Sequence, residues 1–322
     1  MSINTIAVLT SGGDAPGMNA AIRSVARSAL VSGIRVIGVR RGYNGLINGD
    51  VEEMNLRSVS DIIHRGGTIL YTARSPEFRE QAGVQKAADN CRAMGIDGVV
   101  VIGGDGSFRG ARDLTEAGIP CIGIPGTIDN DISCSEYTIG FDTAMNTAMD
   151  MVDRIRDTAQ SHDRCSVVEV MGRHAGHIAL QTGIAVGATS ILVPEVPFDI
   201  DKDIVERMQK NKTTGKKHFI IVVAEGVGNV EGLARDIQAK TGIESRATVL
   251  GHVQRGGSPT VRDRVVASEM GHYAVELLKA GKGDRVVAMQ QNKIVDFDIT
   301  EALAMKKTID RHLLEIGHEI SI

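Results

Sequence analysis

The sequence predicts an α/β protein of two lobes, each a doubly wound and largely parallel sheet. Three observations carry that prediction. Short β-branched runs such as residues 6–9 (IAVL) and 99–102 (VVVI) are apolar throughout, as strands covered on both faces are. Each run meets a glycine-rich polar turn and then an amphipathic stretch, the rhythm of strand–loop–helix units. The rhythm restarts midway along a chain of 322 residues, more than one ordinary core holds.

The elements follow in order. Residues 6–9 lead through a Gly/Asp turn into a helix over about 18–32, and 34–39 is the next strand. Residues 99–102 meet the turn 103–107 (GGDGS) and a helix through Leu114; 121–124 meet the turn 125–131 (PGTIDND). A helix over about 142–160 precedes a second set of strands at 166–170, 190–193 and 219–224. No proline- or serine-rich linker and no short-period repeat interrupts the chain.

Composition excludes several functions. The net charge is −4 with no long basic block, so no nucleic-acid partner is expected. Thirty-seven glycines against 3 % aromatic residues favour backbone-built turns over stacking platforms for bases. Cys91, Cys121, Cys134 and Cys165 are scattered without a C-x-x-C pair, so they read as small buried hydrophobes in a reducing compartment. The start lacks a basic region and a long apolar run, and the apolar runs elsewhere are too short for a bilayer. A soluble, cytoplasmic protein without a membrane partner is expected.

In open α/β sheets, ligands collect beyond the carboxyl ends of the strands. Three polar turns of the first lobe fall there: 10–14 (TSGGD), 103–107 and 125–131. Glycines let backbone N–H groups approach phosphate oxygens, and a following helix adds its positive end. An acid inside such a turn suits phosphate only through a bridging divalent cation, so Asp105 is assigned to Mg²⁺. Taken alone, a tight turn explains the string equally well. Asp129 and Asp131 stand two residues apart beside the Thr127 hydroxyl. Phosphoryl transfer to an alcohol needs a group that accepts the hydroxyl proton; an Asx-turn with a helix cap is the alternative. The second lobe supplies Arg164, Arg173, Arg246 and Arg255 near strand–loop junctions, with His252 close by. Guanidinium forks suit a phosphate monoester. Together these features describe a small-molecule kinase.

The same residues carry a resemblance. The strings TSGGDAPGMNA from Thr10, GGT from Gly66, ARSPEF from Ala73, IGGDGS from Ile102, PGTIDND from Pro125, MGR from Met171 and GHVQRGGSP from Gly251 resemble bacterial ATP-dependent 6-phosphofructokinase, in order and near-identical spacing over almost the whole chain. The resemblance implies that Gly12, Tyr43, Arg74, Ser75, Arg79, Gly104, Asp105, Gly106 and Ser107 surround ATP, with Asp105 holding Mg²⁺ through water. It implies Asp129 as the base on the sugar 1-hydroxyl, with Thr127 and Arg74 at the transferring phosphoryl group. Asp131, Met171, Gly172, Arg173, Glu225, His252 and Arg255 would hold fructose 6-phosphate, with Arg173 also serving the catalytic step. Arg164 and Arg246 would reach the 6-phosphate of a neighbouring subunit in a homotetramer. Residues 1–140 and 254–304 would form the nucleotide lobe, and 141–253 and 305–322 the substrate lobe.

Two features refine the expectation. The pyrophosphate-dependent enzymes of the family carry Asp and Lys where this chain has Gly106 and Gly126, and a side chain at the first site would obstruct the α-phosphate of ATP. Kinases of NAD or lipids with a GGDG turn leave the second-lobe arginines unexplained, and a sugar-phosphate sensor leaves Asp105 and Asp129 without a task. Arg23, Arg27, Arg156 and Lys216 match an effector site for ADP or phosphoenolpyruvate. Leu56, Thr189 and Thr214, however, replace an arginine, an acid and a lysine there, with Arg57 beside Leu56 as a partial substitute. Weak or absent effector control is therefore expected.

Overall fold

The computed structural model describes residues 3–321; Met1, Ser2 and Ile322, at the ends of the two expected lobes, lie outside them. The chain runs β1 (Thr5–Thr10), α1 (Met18–Val31), β2 (Arg35–Val39), α2 (Tyr43–Asn48), β3 (Val51–Met54), α3 (Gln81–Ala93), β4 (Gly98–Gly103), α4 (Asp105–Glu116), β5 (Cys121–Pro125) and α5 (Phe141–Ser161). It continues with β6 (Cys165–Val170), α6 (His177–Ala185), β7 (Ser190–Leu192), α7 (Glu206–Thr213), β8 (Phe219–Ala224), α8 (Val230–Thr241) and β9 (Ser245–Val249). The last elements are α9 (Val261–Lys279), β10 (Arg285–Gln290), β11 (Lys293–Asp298), α10 (Ile299–Ala304) and α11 (Arg311–Glu319).

Contacts divide the chain into two units. The first takes the chain up to Ile128, then Ile132–Thr143 and Arg255–Lys307; the second takes Asp129–Asp131, Ala144–Gln254 and the tail from Thr308.

The first unit holds a seven-stranded sheet in the order β11-β10-β5-β4-β1-β2-β3. Its inner pairs are parallel, while β3 and β11 close the two edges antiparallel. Every residue of β1, β4 and β5 is buried, as the unbroken apolar runs require. Register places Thr10 beside Ile102 and Gly103 beside Pro125, so the turns after β1, β4 and β5 leave the sheet at one level.

The second unit holds a four-stranded, wholly parallel sheet, β7-β8-β6-β9. Its core gathers Val167, Leu192, Phe219, Ile221, Val223 and Ile237. Among the described residues no helix is long and apolar enough to cross a membrane. The four cysteines are buried and free; burial pushes the Cys91 and Cys165 thiols up to about 12.

The sequence reading named no strand at β3, β9, β10 or β11. Three of these are edge strands, and VEEM and SRATV lack the apolar run that marks an interior strand. The β10–β11 hairpin turns on Gln291 and Asn292, both at positive φ (50° and 58°). That is the two-residue turn favoured between antiparallel strands, written without its usual glycine.

Candidate active site

The first two turns of the large sheet are built as one piece. The Ser11 amide donates to the Ile102 carbonyl at 3.0 Å, and the Ser107 hydroxyl donates to the Ser11 carbonyl at 3.1 Å. Gly103 must be glycine: a Cβ there would stand 2.4 Å from both Ser107 Oγ and the Ser11 oxygen. Gly12 takes φ +89°, open to glycine at no steric cost, and its carbonyl accepts from the Thr72 hydroxyl at 2.7 Å. Gly104 caps α4, whose first turn carries Asp105, Gly106 and Ser107. Nothing lies within 4 Å of a Cβ built on Gly104 or Gly106, so the approach to this helix N-terminus is open.

Tyr43 supports the turn from beneath. It is 5 % exposed, donates its hydroxyl to the Ser107 carbonyl at 2.5 Å and stacks on Phe78 with ring centroids 4.0 Å apart. Phe78 lies in the single helical turn Glu77–Arg79, and its amide donates to the Ser75 hydroxyl at 3.4 Å; Arg74 and Arg79 are exposed. Arg255 extends toward the first turn, where its Nη1 donates to the Asp14 carbonyl at 3.2 Å.

The third turn follows β5. The Gly126 amide donates to the Gly103 carbonyl at 3.0 Å, the Ile139 amide to the Pro125 carbonyl at 2.9 Å, and the Thr138 hydroxyl to the Thr127 carbonyl at 2.6 Å. Thr127 and Asp129 are 8 % and 5 % exposed. Asn130 takes φ +50°, a left-handed position that asparagine tolerates. Asp131 is half-buried.

In the second unit, the carboxyl end of β6 carries Met171, Gly172 and Arg173. Gly172 and Arg173 take φ +141° and +59°, and both amides donate to Glu225 Oε1 just beyond β8. For a non-glycine residue such as Arg173 this conformation costs about 1–3 kcal/mol; two amides on one carboxylate hold it. Burial, and then the Glu225 charge, raise the Glu169 carboxyl. Gln254, fully buried, accepts from the Met171 amide at 3.3 Å and donates to the Gly251 carbonyl at 3.1 Å. It thereby ties the Met171 turn to the turn bearing the exposed His252.

Arg164 and Arg246 are not brought to that end. Arg164 precedes β6 and Arg246 is the second residue of β9, at the amino end of the sheet. Both grip Glu244, each at 2.8 Å. These two arginines, Arg164 first, lower the Glu244 carboxyl.

The four residues matching an effector site also fall in two sets. Arg23 and Arg27 are half-buried on α1. Arg156 on α5 donates to the Val186 carbonyl. Lys216, before β8, is lowered by burial and then by the Arg156 charge. Thr189 is fully buried, the Thr214 hydroxyl donates to the Asn211 carbonyl at 2.8 Å, and Leu56 is 49 % exposed.

Sequence reasoning singled out neither Gln254 nor Asp263. Asp263, on α9, is 0 % exposed and accepts from Tyr137, Gly140 and Thr143. A charged residue in a helical stretch reads as a solvated face, so nothing local announced its burial.

The family model described as phosphofructokinase matches residues 5–278. The chain is 58 % identical to "ATP-dependent 6-phosphofructokinase" of Bacillus cereus (strain B4264) over 317 residues, covering 98 % of this chain and 99 % of the relative. Its fold matches a phosphofructokinase structure from Saccharomyces cerevisiae with a TM-score of 0.89 at 35 % identity, over 99 % of this chain and 48 % of that one. A pyrophosphate-dependent enzyme from Marinobacter aquaeolei shares the fold at a TM-score of 0.86 and 24 % identity, over 96 % of this chain and 86 % of that one. With glycine-built turns level at three strand ends and a family match over most of its length, the chain belongs to the phosphofructokinase family.

Proposed function

We propose that the chain transfers the terminal phosphoryl group of ATP to the 1-hydroxyl of fructose 6-phosphate, giving fructose 1,6-bisphosphate and ADP, a step of glycolysis. The near full-length identity to ATP-dependent 6-phosphofructokinases carries this reading. The open space at Gly106 supports ATP over pyrophosphate, because it leaves room for the α-phosphate.

Among the described residues no group of three or more His, Cys, Asp or Glu side chains could hold a metal by itself. One carboxylate at Asp105, flanked by two glycines open on the Cβ side, fits a magnesium ion that arrives with nucleotide phosphates and keeps most of its water. Held there by Asp105, Mg²⁺ would supply positive charge to offset that of the nucleotide phosphates.

The chain's own residues do the rest. Gly12 and the first turn of α4 present backbone donors to the phosphates; Arg74, Ser75 and Arg79 line the nucleotide, and Tyr43 braces the turn. Asp129 accepts the proton of the 1-hydroxyl as that oxygen attacks the γ-phosphorus and the bond to the ADP oxygen breaks. Thr127 and Arg74 steady the charge on the moving group. Asp131, Met171, Gly172, Arg173, Glu225, His252 and Arg255 hold the sugar phosphate. Arg164 and Arg246 act on the 6-phosphate bound by a neighbouring subunit, in a homotetramer.

A coupled assay with fructose 6-phosphate tests the reading. Turnover with Mg-ATP and little with pyrophosphate is expected; the reverse preference, or none with either donor, overturns it.

A further inference from the structure

Asp263 is the third residue of α9 and is fully buried. Its Oδ1 accepts from the Tyr137 hydroxyl at 2.5 Å and the Gly140 amide at 2.7 Å. Its Oδ2 accepts from the Thr143 amide at 2.9 Å and the Thr143 hydroxyl at 2.5 Å. All four partners donate, so both oxygens act as acceptors and the ionised carboxyl satisfies the whole set. A buried carboxylate persists only where donors replace its water, and here they come from a segment 120 to 126 residues earlier in the chain.

Helix capping does not account for this. In a capping box the third residue's carboxylate turns back to the amide of the cap residue. In this chain the Thr260 amide donates instead to the Thr143 hydroxyl at 3.0 Å. Asp263 is thus spared for residues 137–143, and Arg262 lies over the Tyr137 ring at 4.5 Å.

The bonded residues bracket two others of consequence. Between Tyr137 and Gly140 stand Thr138, whose hydroxyl donates to the Thr127 carbonyl at 2.6 Å, and Ile139, whose amide donates to the Pro125 carbonyl at 2.9 Å. Gly17 closes the same knot: at φ +107°, a Cβ there would stand 2.6 Å from Ile139 Cγ2 and 3.5 Å from Asp263 Cβ.

We propose that Asp263 is a positioning residue for phosphoryl transfer: its grip on Tyr137, Gly140 and Thr143 sets Thr138 and Ile139, and through them Thr127 at the head of the loop bearing Asp129. The inference rests on the transferase reading above. It assigns Asp263 no contact with substrate. A displacement of about 1 Å at the reacting groups costs on the order of 10²-fold in rate, so a bracket of this kind acts on kcat.

The test compares Thr143→Val, which at similar volume removes the hydroxyl donor to Asp263 and with it the acceptor of the Thr260 amide, with Thr143→Ser, which keeps both, and adds Asp263→Asn. For Thr143→Val we expect kcat to fall at least about 10-fold while both KM values change less than about threefold; Thr143→Ser should stay within about twofold. Amide exchange by mass spectrometry should quicken in peptides covering 125–131 and 137–143 in Thr143→Val but not in Thr143→Ser. Folded Thr143→Val with wild-type kcat and unchanged exchange overturns the proposal, as does a rise in KM alone. Should Asp263→Asn fail to fold, the threonine pair decides. Wild-type protein inactive on fructose 6-phosphate with ATP would sink the transferase reading instead, and the exchange comparison would still judge the bracket.

Discussion

At the carboxyl end of the small sheet, Arg173 leaves a turn whose backbone is fixed; at the amino end, Arg164 and Arg246 share one carboxylate near solvent. Glu225 holds the amides of Gly172 and Arg173 and so determines where the Arg173 side chain begins. Glu244 holds guanidinium groups instead, with its own side chain 47 % exposed and that of Arg246 64 % exposed. Exposed ion pairs contribute little and weaken in salt, so the Arg246–Glu244 pair is a weak one, whereas the Arg164 side chain is only 21 % exposed. From Arg164 to Met171 the chain climbs the full length of β6, roughly 20 Å at the usual strand rise, more than a hexose phosphate spans. The carboxyl end of the small sheet thus fixes the backbone from which Arg173 leaves, while at the amino end Arg164 and Arg246 are held only through Glu244.

The largest expected effect falls at a carboxyl end. Asp129→Ser should lower kcat by roughly 10²–10⁴, the range for loss of a positioned base, with a much smaller change in KM. Near-normal kcat in folded protein would remove Asp129 from the chemistry, and with it the claim that the reacting group belongs to this end.

Gly106→Asp sharpens the donor assignment at the end of β4. The site has room for a side chain, so the fold should survive while a carboxylate meets the α-phosphate region. We expect kcat/KM for ATP to fall by about 10-fold or more, an amount that like-charge crowding can supply, with an unchanged melting temperature. ATP kinetics equal to wild type under matched Mg²⁺ would defeat the argument. Gly126 is a poorer test, because a Cβ there would stand 3.0 Å from Ile102 Cγ2 and would confound packing with chemistry.

The smallest effect concerns the other end. Arg156 and Lys216 lie near the amino end of the small sheet, but Thr189 is buried and the Thr214 hydroxyl is bonded to its own helix. Neither supplies the charge expected of an effector site. Charge-assisted hydrogen bonds contribute about 1.5–3 kcal/mol each, so ADP or phosphoenolpyruvate at sub-millimolar concentration should shift half-saturation by fructose 6-phosphate less than about twofold. A strong shift would show that Arg57 or another cation has taken over.

Legibility in the sequence followed burial in part: β10 lies inside the large sheet with residues 286–289 buried, and it was not legible as a strand. Interior strands such as VVVI at 99–102 announce themselves, because both faces are covered and every position is apolar. The edge strands β3 and β9 carry charge and do not. The turns at Gly12, Gly104 and Thr127 were legible as glycine and acid at strand ends. Which sheet end Arg164 and Arg246 would occupy was not, since "near a strand–loop junction" describes both ends equally. Asp263 was silent for a related reason: its partners, Tyr137, Gly140 and Thr143, are more than a hundred residues away, and sequence pattern reports only neighbours.

The contrast between the two sheet ends is tested most directly by mixing two inactive chains. Arg246→Ser leaves the carboxyl-end residues whole, and Asp129→Ser leaves the amino-end cations whole. If Arg164 and Arg246 serve a neighbouring subunit, hybrid oligomers assembled from both variants should regain activity that neither has alone, and that activity should disappear on dilution to separated subunits. A mixture no more active than its parents, or wild-type protein fully active as a monomer by light scattering and assay, would contradict the account.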